Sequence, residues 1–428
     1  MLKRINRTLK SAIHGGLAYI MTGSILTKAI TMISSIVLVR LVSKELYAYY
    51  SYATNLYGYI EMFNGLELSG ALLVVCSKSD SKEQGGAYLR FCTKIAAVIQ
   101  LFLCIGLCIL VSCVSIAYPE ARPYIYLYLP IPVASVIIQN IQSYNRAYQQ
   151  NKRYSLMGVV RAAAITGFAV ILVPFIGVSG MIVARMIACA IVIYIGGVFC
   201  YRNLKGVRKI ELSAEEKKKL FILSSSMLVA SFFSYLMPLN ETYLVNTLIR
   251  DTTVTANFKV AGLIPQQLQL IAGGICVYVY PIIARIKDYK EAWKKIVKIG
   301  VYNAAAVIGI ALIGILLTPF IILVLYGEQY MDSIALSRTL WIMRMVNCAF
   351  RTVPCTLLPA LGDTKFNFVA SPVICLVHVV IDYFMIKSFG IAGVAYATII
   401  VYALCAVFAW GYLHHYCKVK AELQLEEE

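Results

Sequence analysis

The sequence predicts an all-α membrane protein with about twelve transmembrane helices in two six-helix halves. Three observations predict this: the apolar composition, the one-sided distribution of basic residues between apolar runs, and a weak internal repeat. Hydrophobic residues make up 60% of the 428 residues and charged residues only 14%, with a mean hydropathy of +0.76. Soluble domains are less apolar and carry more charge, so the bilayer is the expected environment.

Each apolar run is long enough to cross the hydrocarbon core, which takes roughly 20 helical residues. The first run follows a basic segment between Lys3 and Lys10, but it is too long for a signal peptide and lacks a small-residue cleavage site. We therefore expect it to remain as the first helix. The predicted spans are residues 15–39, 46–75, 91–117, 124–146, 155–175, 177–201, 220–247, 256–283, 298–325, 334–360, 366–387 and 390–416.

Basic residues between the spans fall mainly on one side of the membrane. Connections on the side of the N-terminus hold 26 Lys and Arg residues, and those on the opposite side hold 6. Short cytoplasmic loops carry the basic excess in membrane proteins, so both termini are predicted to be cytoplasmic. This topology accounts for most of the net charge of +18. A nucleic-acid partner is not expected, because that needs basic residues gathered on one binding element.

Cysteines and histidines form no pattern of metal ligands or catalytic groups. Most of the 13 cysteines lie in apolar runs without paired C-x-x-C clusters, so we expect no disulfide and no metal site. The four histidines, His14, His378, His414 and His415, have no triad spacing. The chain also lacks the phosphate-binding loop of ATP-driven pumps. Neither an enzyme nor a resident cofactor is expected.

The longest polar connection divides the chain into two halves. The predicted division is an N-terminal lobe of residues 1–201, a cytoplasmic linker of residues 202–219 and a C-terminal lobe of residues 220–428 with a short cytoplasmic tail. Because each half holds an even number of spans, the repeat is parallel, with an axis along the membrane normal. Three segments recur 208 to 213 residues apart: 47–53 with 255–261, 151–154 with 363–366, and 177–180 with 390–393.

Some of these features resemble a known family. They are the Tyr-rich opening of span two (Tyr47–Tyr52), the Gly-Asp-Thr-Lys turn after span ten (Gly362–Lys365) and the Gly-Ile-Ala-Gly opening of the last span (Gly390–Gly393). With the two lobes, they resemble the Wzx-type polysaccharide flippases of the multidrug/oligosaccharidyl-lipid/polysaccharide (MOP) superfamily. The resemblance implies a MATE-like fold, with two pseudo-symmetric lobes around a central cavity.

The resemblance also implies a function and partners. It implies a flippase of the bacterial inner membrane that moves a polyprenyl-pyrophosphate-linked oligosaccharide from the cytoplasmic to the outer leaflet by alternating access, for O-antigen or capsule synthesis. Its partners would be this lipid-linked sugar and membrane lipid. The same analogy implies that the protein could form a complex with a polysaccharide polymerase. No residue in the chain demonstrates this partnership.

Polar residues recur on one face of the spans that the family places around its cavity, which are spans one, two, seven and eight. Ser24, Lys28 and Thr31 are four and three residues apart, a spacing that puts them on one side of a helix. The expected polar lining of the cavity is Ser24, Thr31, Tyr57, Asn64, Gln266 and Gln269.

Seven Lys and Arg residues lie inside the predicted spans. Charged groups at that depth are costly and normally face a protein interior or a wet cavity. The pyrophosphate of the implied cargo would explain them, because Lys and Arg neutralise phosphate oxygens. The residues expected to contact the headgroup are Lys28, Lys259, Arg344 and Arg351. Internal ion pairs that fix helix packing are the alternative role for each.

Three carboxylates in the spans are candidates for ion coupling. Glu61, Glu241 and Asp382 could bind H⁺ or Na⁺ in one conformation and release it in the other. Each could equally be the structural partner of a nearby Lys or Arg. The sequence leaves both roles open.

Two other functions remain alternatives. An H⁺- or Na⁺-coupled multidrug exporter of the same superfamily would favour acidic and aromatic residues, whereas the spans hold seven basic and four acidic residues. A membrane polymerase or glycosyltransferase acting on lipid-linked sugars would need a catalytic group, commonly in a sizeable loop, and the loops here are short. Both alternatives fit the sequence less well than a flippase.

Overall fold

The computed structural model describes residues 18–79, 81–286, 288–363 and 365–427. These residues form helices joined by turns and short connections. The first three residues of predicted span one, residues 15–17, lie outside this part of the chain. Within it, nine helices are long and apolar enough to cross a membrane, and the bent segment Ala214–Leu248 makes a tenth.

Unit 1 is the first of two compact units and ends at Tyr235. Its helices are α1 (Ala18–Leu41), α2 (Lys44–Glu61), α3 (Leu68–Lys78), α4 (Lys82–Cys113), α5 (Arg122–Tyr128), α6 (Pro130–Ala147), α7 (Asn151–Leu204) and the first part of α8 (Ala214–Leu248). A turn with positive φ angles, Asn64–Glu67, joins α2 to α3. The core lies between α3, α4, α6 and α7, where Leu72, Cys92, Ile138 and Met157 are fully buried.

Unit 2 begins at Leu236, within α8. It continues with α9 (Thr252–Leu263), α10 (Leu268–Ile283), α11 (Tyr289–Tyr326), α12 (Ile334–Val346), α13 (Thr352–Leu357), α14 (Lys365–Phe389) and α15 (Ala392–Glu427). A π-helical segment, Asn347–Arg351, joins α12 to α13. The two compact units are defined by packing and meet between Tyr235 and Leu236. Packing does not test where each half of the repeat begins, so the lobe limits of 1–201 and 220–428 stay a prediction.

Several helices begin at side chains that satisfy the otherwise unpaired N–H groups of the first turn. The Ser43 hydroxyl accepts a hydrogen bond from the Leu46 N–H, and the Ser81 hydroxyl accepts one from Gln84. Asp251 and Asp288 do the same at the starts of α9 and α11. Ser and Asp are strongly favoured at this position for that reason.

Helix α7 is a hairpin of two spans. A straight helix of its 54 residues would be about 80 Å long, more than twice the thickness of the hydrocarbon core. The chain turns back at Gly177, whose φ is +56°. A β-carbon on Gly180 would lie 2.6 Å from the carbonyl carbon of Leu172, and Gly196 packs against Met157. The two arms therefore run against each other.

The same turn joins α14 to α15. Gly390 has a φ of +58°, and a β-carbon on Gly393 would overlap the carbonyl oxygen of Met385. In both halves the first glycine permits the left-handed backbone and the second permits close contact with the preceding helix. With α7 counted as two spans and α12–α13 as one, the described helices make twelve spans. The predicted all-helical fold is confirmed.

The tryptophans of the chain all belong to unit 2. Trp410 packs on Gly300, where a β-carbon would lie 2.7 Å from its ring, and Trp341 packs on Gly314. Trp293 meets the Trp410 ring edge-on at a centroid distance of 6.1 Å. Glycines on α11 thus provide the space into which the large rings of α12 and α15 fit.

Candidate functional site

A buried histidine with two acidic neighbours lies in unit 2. His378 and Asp382 on α14 have no exposed surface, and Glu241 on α8 is 6% exposed. The imidazole Nδ1 is 3.0 Å from Asp382 Oδ2, and Nε2 is 3.5 Å from Glu241 Oε1. We call His378, Asp382, Glu241 and Thr398 the histidine cluster. Buried ionisable groups at membrane depth are functional candidates.

Thr398 on α15 completes the histidine cluster. Its hydroxyl oxygen is 2.9 Å from His378 Nε2 and 3.2 Å from Glu241 Oε1. The cluster therefore joins α8, α14 and α15. Asp382 Oδ1, Oδ2 and His378 Nδ1 have no well-aligned hydrogen-bond partner, although Nδ1 and Oδ2 are within ion-pair distance. Unsatisfied buried polar atoms of this kind call for a functional explanation.

An arginine lies beside the histidine cluster. The Tyr402 ring stacks with the His378 ring at a centroid distance of 6.5 Å. The same tyrosine ring also contacts the Arg351 guanidinium, which lies 5.0 Å from its centroid. Arg351 donates to Asn347 Oδ1 at 3.1 Å and to the Cys405 sulfur at 3.2 Å. The guanidinium is therefore held by neighbours on its own segment and on α15.

The π-helical segment places Arg351 and Asn347. It adds a residue to the turn and frees backbone carbonyls from the usual helical pattern, a geometry frequent at functional sites. Asn303 on α11 donates to the carbonyl of Cys348 at 2.8 Å, which satisfies one of them. Asn347 in turn donates to Gln269 Oε1 at 3.3 Å. A polar track therefore runs from Gln269 to Arg351.

Lys259 is held near the acidic end of the histidine cluster. Its side chain is half-buried, and Nζ donates to the Thr242 hydroxyl at 2.7 Å. Thr242 follows Glu241 on α8, and Lys259 interacts electrostatically with Glu241. Unit 2 thus brings together four of the residues predicted as headgroup or ion-coupling sites: Lys259, Arg351, Glu241 and Asp382.

The other predicted site residues occupy more open positions. Arg344 is half-buried on the last turn of α12. Ser24, Lys28 and Thr31 are exposed along α1, and the Thr31 hydroxyl donates to the carbonyl of Thr27 at 2.8 Å. Gln266 is exposed in the turn before α10.

Unit 1 contains an arginine between tyrosines. Arg185 donates to the Tyr128 hydroxyl at 2.7 Å and lies 5.6 Å from the Tyr50 ring centroid. Tyr57, predicted as polar lining, is fully buried and donates to the carbonyl of Ile125 at 2.8 Å. Glu61 is exposed at the end of α2 and interacts electrostatically with Arg185. The structure thus places Tyr57 in helix packing rather than on an open face.

Spans two and eight are both broken. Asn64, Gly65, Leu66 and Glu67 all have positive φ, an arrangement that non-glycine residues rarely adopt. In span eight, the 3₁₀ turn Pro265–Gln267 separates α9 from α10. The two breaks lie in corresponding spans of the repeat, and interrupted spans of this kind indicate a transport site. Two predicted lining residues, Asn64 and Gln266, lie in these breaks.

Gln100 supports the break in span two. This fully buried side chain accepts from the Gly65 N–H at 3.0 Å and donates to the Ile60 carbonyl at 3.1 Å. It therefore pairs two backbone groups that the broken helix leaves open. Backbone at membrane depth must find such partners within the protein.

We expect Gln100→Leu to destabilise the protein by about 1–3 kcal/mol, because it leaves buried backbone groups unpaired. Thermal unfolding in detergent would measure this as a lower melting temperature than that of the wild type. Gln142→Leu on α6, where the glutamine is half-buried, is the matched control. Equal melting temperatures for the two variants would contradict the assigned role.

Sequence reasoning missed two important polar residues. His378 lies four residues before Asp382, a spacing that puts both on one face of α14. This spacing is the feature of the sequence that indicates a contact between the two side chains. Gln100 is a single amide within an otherwise apolar run, which also marks it as costly unless it has a partner. Among the described residues, no group of His, Cys, Asp and Glu could hold a metal ion.

Comparison with known proteins gives a family and a relative. Residues 14–287 match the model of a family described as "Polysaccharide biosynthesis protein", which is more than half of the chain. A Shigella flexneri protein named "Putative O-antigen transporter" is 25% identical over 227 residues, covering 51% of this chain and 51% of that protein. The match thus spans about half the length of this curated relative.

Solved structures share the fold. The lipid II flippase MurJ in an inward closed conformation aligns with a TM-score of 0.69 at 15% identity, over 93% of this chain and 87% of that chain. An inward-facing multidrug resistance MATE family transporter of the MOP superfamily aligns with a TM-score of 0.65 at 13% identity, over 92% and 96%. The Vibrio cholerae MATE transporter VcmN aligns with a TM-score of 0.62 at 12% identity, over 99% and 98%. At such low identities, these TM-scores show a common fold.

Proposed function

Because the chain belongs to the polysaccharide biosynthesis protein family, we propose that it translocates a polyprenyl-pyrophosphate-linked oligosaccharide across the membrane by alternating access. The curated relative is named a putative O-antigen transporter, and a protein with the same fold is a lipid II flippase; neither name is that of an enzyme. The resemblance to the flippases of the MOP superfamily is confirmed by the family match and the fold.

The basic side chains at membrane depth in unit 2 carry the proposal. Lys259 and Arg351 are both half-buried on transmembrane helices, where a charge is expensive unless it binds something. A lipid-linked pyrophosphate offers two phosphate groups that such cations neutralise. An organic cation would instead be repelled by them. These two residues therefore favour an anionic cargo over a cationic drug.

The remaining parts of the proposed cargo have matching chemistry. The exposed amides Gln266 and Gln269 can donate to and accept from sugar hydroxyls. The polyprenyl tail can stay in the bilayer. Lys28 and Arg344 are proposed to contact the headgroup as well, at other points of its passage.

The proposal includes a direction and a membrane. The basic excess on one side supports cytoplasmic termini, since short cytoplasmic loops carry that excess. The family supports the bacterial inner membrane, with movement toward the outer leaflet. A polymerase complex as partner stays a prediction.

Ion coupling is part of the proposed mechanism. Glu241 and Asp382 lie in the histidine cluster at the junction of α8, α14 and α15. Binding of H⁺ or Na⁺ there would bias unit 2 between two arrangements. Glu61 is exposed and remains a second candidate.

We expect Lys259→Met to reduce translocation of the cargo about tenfold to a hundredfold, because a charge-assisted contact contributes about 1.5–3 kcal/mol. The assay is flux in proteoliposomes of a polyprenyl pyrophosphate that carries a fluorescent oligosaccharide. Lys28→Met is compared in parallel. Lys418→Met, at a side chain that is 65% exposed, is the control and should transport normally.

Two outcomes would count against the flippase. Unchanged flux in Lys259→Met, Arg351→Gln and Lys28→Met would remove the cationic headgroup site. No flux by the wild type, together with ion-driven efflux of cationic dyes, would favour a multidrug exporter, which the fold also supports.

A further inference from the structure

His378 lies at the centre of the histidine cluster, with a polar neighbour close to each ring nitrogen. Nδ1 faces Asp382 Oδ2 at 3.0 Å, and Nε2 faces the Thr398 hydroxyl at 2.9 Å and Glu241 Oε1 at 3.5 Å. The ring has no exposed surface. It is therefore sealed from solvent between carboxylates on two helices.

The charges around the ring indicate what the cluster holds. Asp382 Oδ2 lies 3.0 Å from Nδ1, and Glu241 Oε1 lies 3.5 Å from Nε2. The Thr398 hydroxyl is neutral and also donates to the carbonyl of Val394 at 2.8 Å, so it balances neither carboxylate. A protonated imidazole carries a donor on each ring nitrogen and supplies the positive charge that the two carboxylates face.

The other charged groups near His378 are engaged elsewhere. Arg351, which also contacts the Tyr402 ring, donates to Asn347 and Cys405, and Lys259 donates to Thr242. Both cations act on the cluster through space, Arg351 on His378 and Lys259 on Glu241. Among the described residues, His378 is the basic group that directly contacts both carboxylates.

We infer that His378 carries the coupling proton of the transporter. The protonated ring holds Glu241 of α8 against Asp382 of α14 and Thr398 of α15. Loss of the proton leaves two carboxylates facing each other around a neutral ring, and their repulsion favours separation of α8 from α14 and α15. This inference rests on the proposed function and specifies its ion.

The arrangement favours a proton over Na⁺. Hard cations prefer several oxygen ligands, whereas here the space between the two carboxylates is occupied by an imidazole. Histidine is also the side chain whose charge ordinarily changes between about pH 5 and 8.

The chain permits a direct test because it has four histidines. In a His14→Gln, His414→Gln, His415→Gln background, His378 is the remaining imidazole. Solid-state NMR of this protein with ¹⁵N-labelled histidine in lipid bilayers reports whether one or both ring nitrogens carry hydrogen. We expect a change from imidazolium to neutral imidazole as the pH is raised over the range in which the protein stays folded. Replacing Asp382 by Asn in the same background should reduce the imidazolium fraction.

The controls separate this inference from the proposed function. Exchange of NaCl for choline chloride at constant ionic strength should leave the spectra unchanged. A ring that stays neutral across the range, or one that responds to Na⁺, would overturn the inference. These spectra need no substrate, so they can fail while translocation succeeds. In proteoliposomes, the flux stimulated by a pH gradient should be at least tenfold lower for His378→Gln than for the wild type, while binding of the headgroup persists. Equal stimulation of the two proteins would also overturn the inference.

Discussion

Glu241→Gln is expected to lower translocation at least tenfold while the protein still folds. Glutamine keeps the size and one acceptor oxygen of the side chain but removes the charge that faces His378 and accepts from Thr398. Removal of one partner from a buried charge pair destabilises a protein by about 3–5 kcal/mol, so the melting temperature should fall as well. The flux should fall because His378 would have no charged partner left on α8.

Flux in proteoliposomes and melting temperature in detergent should be measured together. Glu422→Gln is the matched control, because Glu422 is 60% exposed in a surface pair with Lys418 and such pairs contribute little. The double variant Glu241→Gln, His378→Gln should recover part of the lost stability, since no buried charge is left facing a neutral partner. Full transport by Glu241→Gln would exclude the histidine cluster from the transport cycle.

Gly393→Ala is expected to destabilise unit 2 severely. Its methyl group would overlap the carbonyl oxygen of Met385, which is backbone and cannot rotate away as a side chain can. Overpacking of this kind costs about 1–3 kcal/mol and sometimes more. We expect a lower yield of folded protein and a lower melting temperature, measured by fluorescence-detected size-exclusion chromatography after heating.

The chain supplies matched controls for this prediction on the same helices. A β-carbon at Gly411 of α15 or Gly197 of α7 meets nothing within 4 Å, so alanine there should be tolerated. Gly180→Ala, the counterpart in unit 1, should behave like Gly393→Ala. Equal stability of Gly393→Ala and Gly411→Ala would mean that the α14–α15 turn relaxes without cost.

The number and order of the spans could be predicted because membrane thickness imposes a length on each apolar run. The glycines at 177–180 and 390–393 were recognisable as a repeat, and the structure gives both the same turn. Pro265 marks the break in span eight because proline lacks the N–H that a helix needs. These features depend on local chemistry, which the sequence displays directly.

Other features depend on contacts between distant segments. Nothing local in Asn64–Glu67 requires four left-handed residues; the partner that stabilises the break, Gln100, lies on another helix. The π-helical segment likewise relies on Asn303 of α11. The sequence shows no triad spacing around His378, because its partner Glu241 lies on α8, distant in the chain, and Thr398 lies on the following helix, α15.

The placement of Trp293, Trp341 and Trp410 on α11, α12 and α15 makes the chain a spectroscopically asymmetric molecule. Since these are its three tryptophans, tryptophan fluorescence originates in unit 2, and unit 1 contributes only tyrosine fluorescence. Unfolding followed by red-shifted emission therefore records the loss of unit 2, and a tryptophan placed at Phe91 or Phe221 in the core of unit 1 would give each unit its own optical signal.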